Sequence, residues 1–456
     1  MKKIFTLFLA LTMGISFLFA QQNGLPKYQR SSLHMILLNT DEPTLDDAID
    51  FSDDISDAWQ NYPFPDKYDQ HKIDFKEAYG GKPKGSFMEL LKKYQGGFGK
   101  MSLADLKEIS ATISNNKKYN QQLIDTTTVM LREQKVGQQL LTKWFGIKSD
   151  GSYSLDLLDQ RSAYNASQSD VASASATVRG IQGVLDKSDD LIGNTFVSFS
   201  KLAFYENEPI ASFIRNLTVL IGQMVDPTGA AVTAAELAYT ATHEGYSAYT
   251  TTVLYRLIWN DSVQAVFNQC FNGDKIDMKK FNAIDFPFEM VGVQKTSSTT
   301  VDAKGGFANL IGVKGAKPKD ELVKQTIIRN LDKTFAALQY NYDEFKPLVP
   351  IISTEPLLID AGMKESIDAK SQFELLEAQY NEKTGVVEYK SVGVLKVAKG
   401  KVWDNRYCLT DEAKTAAEKN NGTVQGTELV ANKNASLGMV VRLLTKKKGG
   451  TKVKTK

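Results

Sequence analysis

The chain has few of the side chains from which metal centres and catalytic sites are built. Its 456 residues include two cysteines and three histidines, namely Cys270, Cys408, His34, His71 and His243. Zinc sites take three or four such ligands at short spacings, and these histidines stand far apart in sequence. His243-Glu244 begins like a zinc-protease motif, but Ser247 stands where the second histidine should be. We therefore predict no metal ion and no cofactor.

Signatures of nucleophilic catalysis are also missing. The sequence has no Gly-x-Ser-x-Gly elbow, and neither cysteine has a protease-like context. We predict no catalytic residues, although a triad assembled from residues far apart in sequence stays open. Nothing in the sequence forces the Cα atoms of Cys270 and Cys408 within roughly 7 Å of each other. Two buried free thiols are therefore predicted, with a disulfide as the alternative.

The chain lacks an excess of charge of either sign. It has 55 basic and 53 acidic residues. Positive charge is concentrated in residues 446–456, which hold six lysines and are predicted to be a solvated basic tail. No segment elsewhere interleaves basic with aromatic side chains in the manner of a nucleic-acid surface. We therefore exclude nucleic acid as a partner.

One long apolar run is present, at the start of the chain. A basic beginning, Met1–Lys3, precedes an uncharged stretch over 4–20, and polar residues follow. This pattern predicts a signal peptide, residues 1–20, that is cleaved after Ala20. A retained membrane anchor is the alternative, because 17 apolar residues are at the short limit for crossing a bilayer. The residue directly after Ala20 is Gln21 rather than cysteine, which argues against a lipid-anchored protein.

The mature protein is therefore predicted to be exported to the periplasm, the outer-membrane surface or the extracellular space. The next most apolar region, 210–241, is interrupted by Arg215, Asn216 and Glu236. A charged group at a bilayer centre costs about 3 kcal/mol or more. We predict a packed helix pair in this region and no transmembrane segment after signal cleavage. The sequence does not predict an oligomeric state.

Hydrophobic periodicity divides the remaining chain into three regions. Apolar residues recur every three or four positions through much of 21–190, which predicts a mainly helical domain. Residues 191–350 mix strand and helix patterns and are predicted to be an α+β domain, with the strongest strand at 246–259. Short strands with tight turns over 351–445 predict a small β-barrel of the SH3-like kind. Its predicted strands are 371–379, 386–389, 392–397, 401–407 and 439–444. The predicted fold class of the whole chain is α+β.

Three short parts of the chain carry a resemblance to known sequences. They are Leu191–Val197, the pair Lys143–Phe145 and Tyr164–Ser167, and Val402–Tyr407. In these parts the chain resembles an uncharacterised family of exported proteins of Bacteroidota. The resemblance implies an exported protein over most of the mature chain. Because that family has no assigned activity, the resemblance implies no functional residues.

Two tryptophans are followed by polar residues at the ends of predicted strands. The tripeptides are Trp259-Asn260-Asp261 and Trp403-Asp404-Asn405. An indole face beside amide and carboxylate groups suits a sugar, which it binds by stacking and by hydrogen bonds to hydroxyls. A core tryptophan followed by a polar turn gives the same pattern, because Asn and Asp form local hydrogen bonds. The sequence leaves both interpretations open.

The leading functional hypothesis is an exported envelope protein that binds or scaffolds without catalysis, with an envelope protein or a glycan as its partner. The alternative is a carbohydrate-binding protein that uses Trp259 or Trp403. A third hypothesis, from another class, is a hydrolase whose triad the sequence does not reveal.

Overall fold

The computed structural model describes much of the chain between residues 30 and 445. The described residues are 30–41, 51–82, 92–93, 117–161, 189–225, 230, 233, 235–238, 243, 245–300, 319–381, 386–405 and 426–445. The predicted signal peptide, the basic tail and Cys408 lie outside these ranges. The described residues form both helices and strands, as the predicted α+β class requires.

The regular elements are numbered in chain order. The helices are α1 (Ser52–Gln60), α2 (Lys117–Glu133), α3 (Val136–Trp144), α4 (Asp156–Arg161), α5 (Asn207–Val225), α6 (Asp261–Asn268), α7 (Met278–Ala283) and α8 (Lys319–Asn341). The first strands are β1 (Ser32–Asn39), β2 (Asp69–Gln70), β3 (Glu77–Tyr79), β4 (Thr195–Glu206), β5 (Tyr246–Leu257), β6 (Phe271–Asn272), β7 (Lys275–Ile276) and β8 (Phe288–Thr300). The later strands are β9 (Val349–Thr354), β10 (Leu357–Ile359), β11 (Gln372–Asn381), β12 (Val386–Lys396), β13 (Thr427–Glu428) and β14 (Val440–Leu444).

A mixed sheet organises the first two thirds of the described chain. Its strand order is β2-β1-β4-β5-β8. Strands β2 and β3 pair with the same edge of β1, β2 at the start of β1 and β3 at its end. Strand β1 runs parallel to β2, β3 and β4, whereas β4, β5 and β8 are antiparallel. Strands β1 and β4 come from the predicted 21–190 and 191–350 regions, so the predicted boundary at residue 190 separates two strands of one sheet. The apolar run in β1 is buried on both faces, which removes the alternation that would identify it as a strand.

Helices cover both faces of this sheet. Alternate side chains of β1 point to opposite sides, so Leu33 and Leu37 pack with α8 while Ile36 and Leu38 pack with α2 and α3. Helix α8 is buried over nearly its whole circumference. A further apolar cluster, which includes Trp144, Phe267 and Phe281, joins α3, α4, α6 and α7 at one end of the sheet. Helices α3, α4 and α7 contribute to the walls of the cleft described below.

The residues after 349 form an antiparallel sheet of order β12-β11-β14-β9-β10-β13. Val397, which follows β12, and Leu429, which follows β13, form an isolated bridge. The segments predicted as two strands at 386–389 and 392–397 are one continuous strand. The prediction of a strand at 401–407 is wrong over 401–405, the part that the structure describes. The backbone N–H of Trp403 donates to the Thr427 hydroxyl, and its carbonyl accepts from the Met363 N–H, so Trp403 does not form a ladder with a neighbouring strand.

The predicted helix pair over 210–241 is described in part. Helix α5 is followed by helical residues at 235–238, and Arg215 Nε donates to Glu236 Oε1 at 2.8 Å. This ion pair explains how the two charges are accommodated in an apolar region. Within the described residues, no helix is both long enough and apolar enough to cross a membrane.

Candidate functional site

Trp259 lies at the end of β5, inside the apolar cluster of α3, α6 and α7. Its side chain is 9% exposed, and its Nε1 donates to Asp189 Oδ1 at 3.0 Å. The ring meets Phe267 edge-on, with centroids 5.6 Å apart. Asn260 Oδ1 accepts a hydrogen bond from the Val263 backbone N–H at 3.1 Å and so caps α6. Core packing and helix capping therefore account for Trp259 and Asn260, and Asp261 occupies the exposed first turn of α6.

Trp403 lies in the C-terminal sheet unit and is half-buried, as are Asp404 and Asn405. The backbone N–H of Trp403 donates to Thr427 Oγ1 at 3.1 Å. Asn405 Nδ2 donates to Glu365 Oε2 at 2.8 Å, so this amide is part of the local hydrogen-bond network. The two predicted tripeptides lie in different parts of the molecule, and the structure does not bring them together.

His34 lies in β1 and is held as a neutral imidazole. Its Nε2 donates to the Phe75 carbonyl at 2.6 Å, and its Nδ1 accepts from the Ile73 N–H at 3.4 Å. Burial lowers the pKa of His34 to about 4. Both ring nitrogens already have partners, so this histidine is poorly placed to take a proton from a substrate.

Both ring nitrogens of His71 also have hydrogen-bond partners. Its Nε2 donates to the Leu140 carbonyl at 3.0 Å, and its Nδ1 accepts from Arg161 Nη1 at 3.3 Å. The ring packs on Trp144 at a centroid distance of 4.5 Å, and burial lowers the pKa of His71 to about 3. Cys270 is a buried free thiol whose pKa is raised by burial. Among the described residues, no group of three or more His, Cys, Asp or Glu could hold a metal ion.

A cleft of about 880 Å³ opens beside these histidines, between α3, α7 and the connection from β2 to β3; we call it the α3–α7 cleft. Its apolar lining is Ile73, Ile147, Leu157, Met278 and Phe281. Its polar and charged lining is Lys72, Asp74, Glu133, Gln134, Lys135, Gln138, Gln139, Thr142, Lys143 and Asn282. Ligand pockets commonly have volumes of about 300–1,000 Å³ and combine apolar walls with a few placed polar groups. The volume of the cleft falls within this range, and its five charged side chains are exposed to solvent.

The corner between α2 and α3 shapes the cleft. Lys135 takes a left-handed conformation there, with φ of 49°, and its Nζ donates to the Asn282 carbonyl at 3.5 Å. Gly137 follows, and a Cβ atom at this position would lie 2.5 Å from Phe286 Cβ. Glycine thus lets α3 lie directly against the segment that follows α7. The amides of Gln138 and Gln139 are held by the carbonyls of Ile284 and Gln134, which fixes the cleft wall.

The amino-acid sequence gives little indication of this cleft. Its lining comes from residues 72–74, 133–147, 157 and 278–282, which are distant in sequence and meet only in the folded chain. The one local signal is the polar run from Glu133 to Gln139, and such a run is equally typical of a solvated helix corner. No protein-family model matches the chain, and no curated protein matches it.

Proposed function

We propose that this is an exported envelope protein that binds a ligand without catalysis, and that the ligand occupies the α3–α7 cleft. The observation that carries the proposal is the cleft itself, in which five charged side chains and four side-chain amides border an apolar floor. The cleft stands on helices whose positions are fixed by core packing. Sites on such elements hold their geometry better than sites on free loops.

Binding is favoured over hydrolysis by the state of the nearby histidines. A general base works best with a pKa near the operating pH, whereas burial keeps the pKa of His34 near 4 and that of His71 near 3. The known hydrogen-bond partners of both rings are backbone groups and Arg161. A hydrolase would need another base, and the buried thiol of Cys270 has a raised rather than a lowered pKa.

Export and the barrel are part of the same proposal. The support for export is the signal-like sequence of residues 1–20 and the resemblance to exported proteins of Bacteroidota. The C-terminal unit is proposed to be a small SH3-like barrel. Its support is the antiparallel order of six strands, together with the bridge between Val397 and Leu429, which brings the two ends of that order together.

A substitution that fills the cleft tests the proposal. Thr142 is half-buried in the cleft wall, and Thr142→Trp places an indole in the space a ligand would occupy. Thr354→Trp, at an exposed position of β9, is the matched control. Purified wild-type and variant proteins would be applied to an array of bacterial and host glycans and envelope peptides. We expect wild type and T354W to bind the same class, and T142W to bind it at least about tenfold more weakly.

Equal binding by T142W and wild type would contradict the cleft as the site, as would a wild type that binds no member of the array. Trp403→Ala on the same array examines the carbohydrate alternative, since this tryptophan is only partly buried. Loss of glycan binding in W403A with retention in T142W would transfer the function to the C-terminal unit.

A further inference from the structure

The walls of the α3–α7 cleft carry charged side chains that form no ion pair with another described residue. Lys72, Lys135 and Lys143 line it together with Asp74 and Glu133. Within the described part of the chain, none of these five side chains takes part in an ion pair. Charges nearby do pair: Arg132 lies 3.2 Å from Asp285, and Arg161 lies 3.9 Å from Asp69. The cleft therefore keeps its charged groups available for a bound molecule.

The cleft has three lysines and two carboxylates, and the positive charge of two of these lysines acts on the buried histidines behind it. Burial is the main reason why the pKa of His71 is low, and the positive charge of Lys143 adds to it. Lys72 contributes in the same way to the lowered pKa of His34. A cleft with apolar walls concentrates such a field, because the walls screen charge less than water does.

Resting on the proposed function, we propose that the α3–α7 cleft binds an acidic oligosaccharide whose carboxylates are taken by Lys72 and Lys143. The Thr142 hydroxyl and the Asn282 side-chain amide stand in the same walls, where they can bond sugar hydroxyls. The apolar floor suits the C–H faces of sugar rings, which Leu157 and Met278 contact.

Two features separate this ligand from other anions. Asp74 and Glu133 stand in the same cleft, where their carboxylates can accept hydrogen bonds from sugar hydroxyls, which inorganic anions lack. The lining residues belong to helices and connections, and none lies in a strand. An acidic peptide that binds by strand addition therefore finds no strand edge here.

Calorimetric titration of the full-length mature protein tests the inference. The probes are hexamers of galacturonate and of guluronate, maltohexaose as a neutral sugar, and hexaglutamate as an acidic peptide. The variant is Lys72→Gln with Lys143→Gln, and its matched control is Lys390→Gln with Lys399→Gln, two exposed lysines of the C-terminal unit. Unfolding curves confirm that both variants remain folded.

We expect at least one acidic hexamer to bind wild type and the control variant, with a Kd at least about tenfold weaker in K72Q/K143Q. Raising NaCl from about 20 to about 300 mM should weaken this binding, because the ions screen partly exposed charge pairs. Maltohexaose should bind more weakly than the acidic hexamer. Such a result supports the inference.

The other outcomes overturn the inference in distinguishable ways. Equal binding of maltohexaose and the acidic hexamers, or binding that K72Q/K143Q retains in full, would refute an acidic sugar and leave the proposed function intact. Binding of hexaglutamate alone would assign the cleft to an acidic peptide. If no probe binds in the titration but T142W loses binding on the array, only the acidic-sugar inference is refuted. If no probe binds and the array also shows no binding that depends on Thr142, the proposed function is refuted as well.

Discussion

At the scale of single residues, close contacts decide several positions that look ordinary in the sequence. Gly292 lies in the edge strand β8, opposite Leu254. A Cβ atom there would stand 2.0 Å from Tyr342 Cε1. The Tyr342 hydroxyl donates to the Val293 carbonyl at 2.8 Å, so the ring covers the outer edge of this strand. The Tyr342 ring can lie in this position only because residue 292 has no side chain.

Gly292→Ala should therefore destabilise the protein. The added methyl group displaces the Tyr342 ring, and we expect the free energy of unfolding to fall by about 1–3 kcal/mol. Gly393→Ala is the matched control, because a Cβ atom in β12 at that position meets nothing within 4 Å. The control should change the stability by less than about 0.5 kcal/mol. Urea unfolding measures both, and equal effects of the two variants would contradict the contact.

The buried histidines give the stability a defined dependence on pH. Unfolded His34 and His71 take up a proton near pH 6.5, whereas burial holds their folded pKa values at about 4 and about 3. Their contribution is complete above pH 6.5 and is lost as the pH falls toward those values. Each histidine should remove about 1.4 kcal/mol per pH unit in this window.

Urea unfolding between about pH 7 and about pH 5 checks this dependence. The double variant His34→Gln with His71→Gln lacks both titrations, so its stability should fall less steeply with acid than that of wild type. Stability curves that run parallel in the two proteins would show that the imidazoles are not held neutral.

At the scale of elements, α8 is unusual in packing on the sheet through a line of polar contacts. Asn330 is fully buried, and its Nδ2 donates to Thr250 Oγ1 at 2.6 Å. One turn earlier, Thr326 Oγ1 donates to Thr300 Oγ1 at 2.5 Å. The Asn330 Oδ1 atom has no hydrogen-bond partner. A helix that buries polar groups in this way depends on each partner being present.

The pair Asn330 and Thr250 should therefore show non-additive energetics. Thr250→Val alone leaves the buried Asn330 Nδ2 without its hydrogen-bond acceptor, and we expect the free energy of unfolding to fall by about 1–3 kcal/mol. Adding Asn330→Leu removes both this unpaired amide nitrogen and the Oδ1 atom that has no partner. The double variant should thus lose at least about 1 kcal/mol less than the sum of the two single variants. Additive losses in urea unfolding would mean that this contact contributes nothing specific to α8 docking.

At the scale of the whole molecule, an ion pair between a buried lysine and a partly exposed aspartate joins the two sheet units. Lys67 follows α1 and is 3% exposed, and its Nζ lies 3.0 Å from Asp360 Oδ2, next to β10. It also contacts Asp66 at 3.3 Å. Ser366 Oγ donates to the Ala336 carbonyl of α8 at 2.9 Å and strengthens the same junction. The C-terminal unit is thus fastened to the first unit through α8 and the segment after α1.

Asp360→Asn should weaken this junction. The ammonium of Lys67 would remain buried with one carboxylate instead of two, and we expect a loss of about 1–3 kcal/mol in the free energy of unfolding. Asp285→Asn breaks an exposed pair, with Arg132 72% and Asp285 65% exposed, and should change stability by less than about 1 kcal/mol. Indistinguishable unfolding curves for the two variants would show that the pair with Asp360 does not hold the units together.

Sequence patterns predicted the long elements better than their arrangement. Strand β5 was predicted over 246–259 from its tyrosines, threonines and valines, because β-branched and aromatic residues favour strands. Strands β2 and β13 have two residues each and carry no periodicity. Their pairing is decided by tertiary contacts. The cleft was not predictable for the same reason.

The tryptophans show why the predicted sites could not be decided from sequence. Trp259-Asn260 fits a sugar site and also fits a core ring followed by a helix cap, since both uses need the same residue types. The hydrogen bonds of Trp259 to Asp189 and of Val263 to Asn260 are visible only in the folded chain.

The central claim is that a ligand occupies the α3–α7 cleft. Hydrogen–deuterium exchange of the wild-type protein, measured with and without the glycan class found on the array, tests it most directly. We expect slower exchange in residues 133–143 and 278–282 on adding the ligand, with no change in 386–405. Protection around Trp403 instead, or none in either wall of the cleft at saturating ligand, would contradict it.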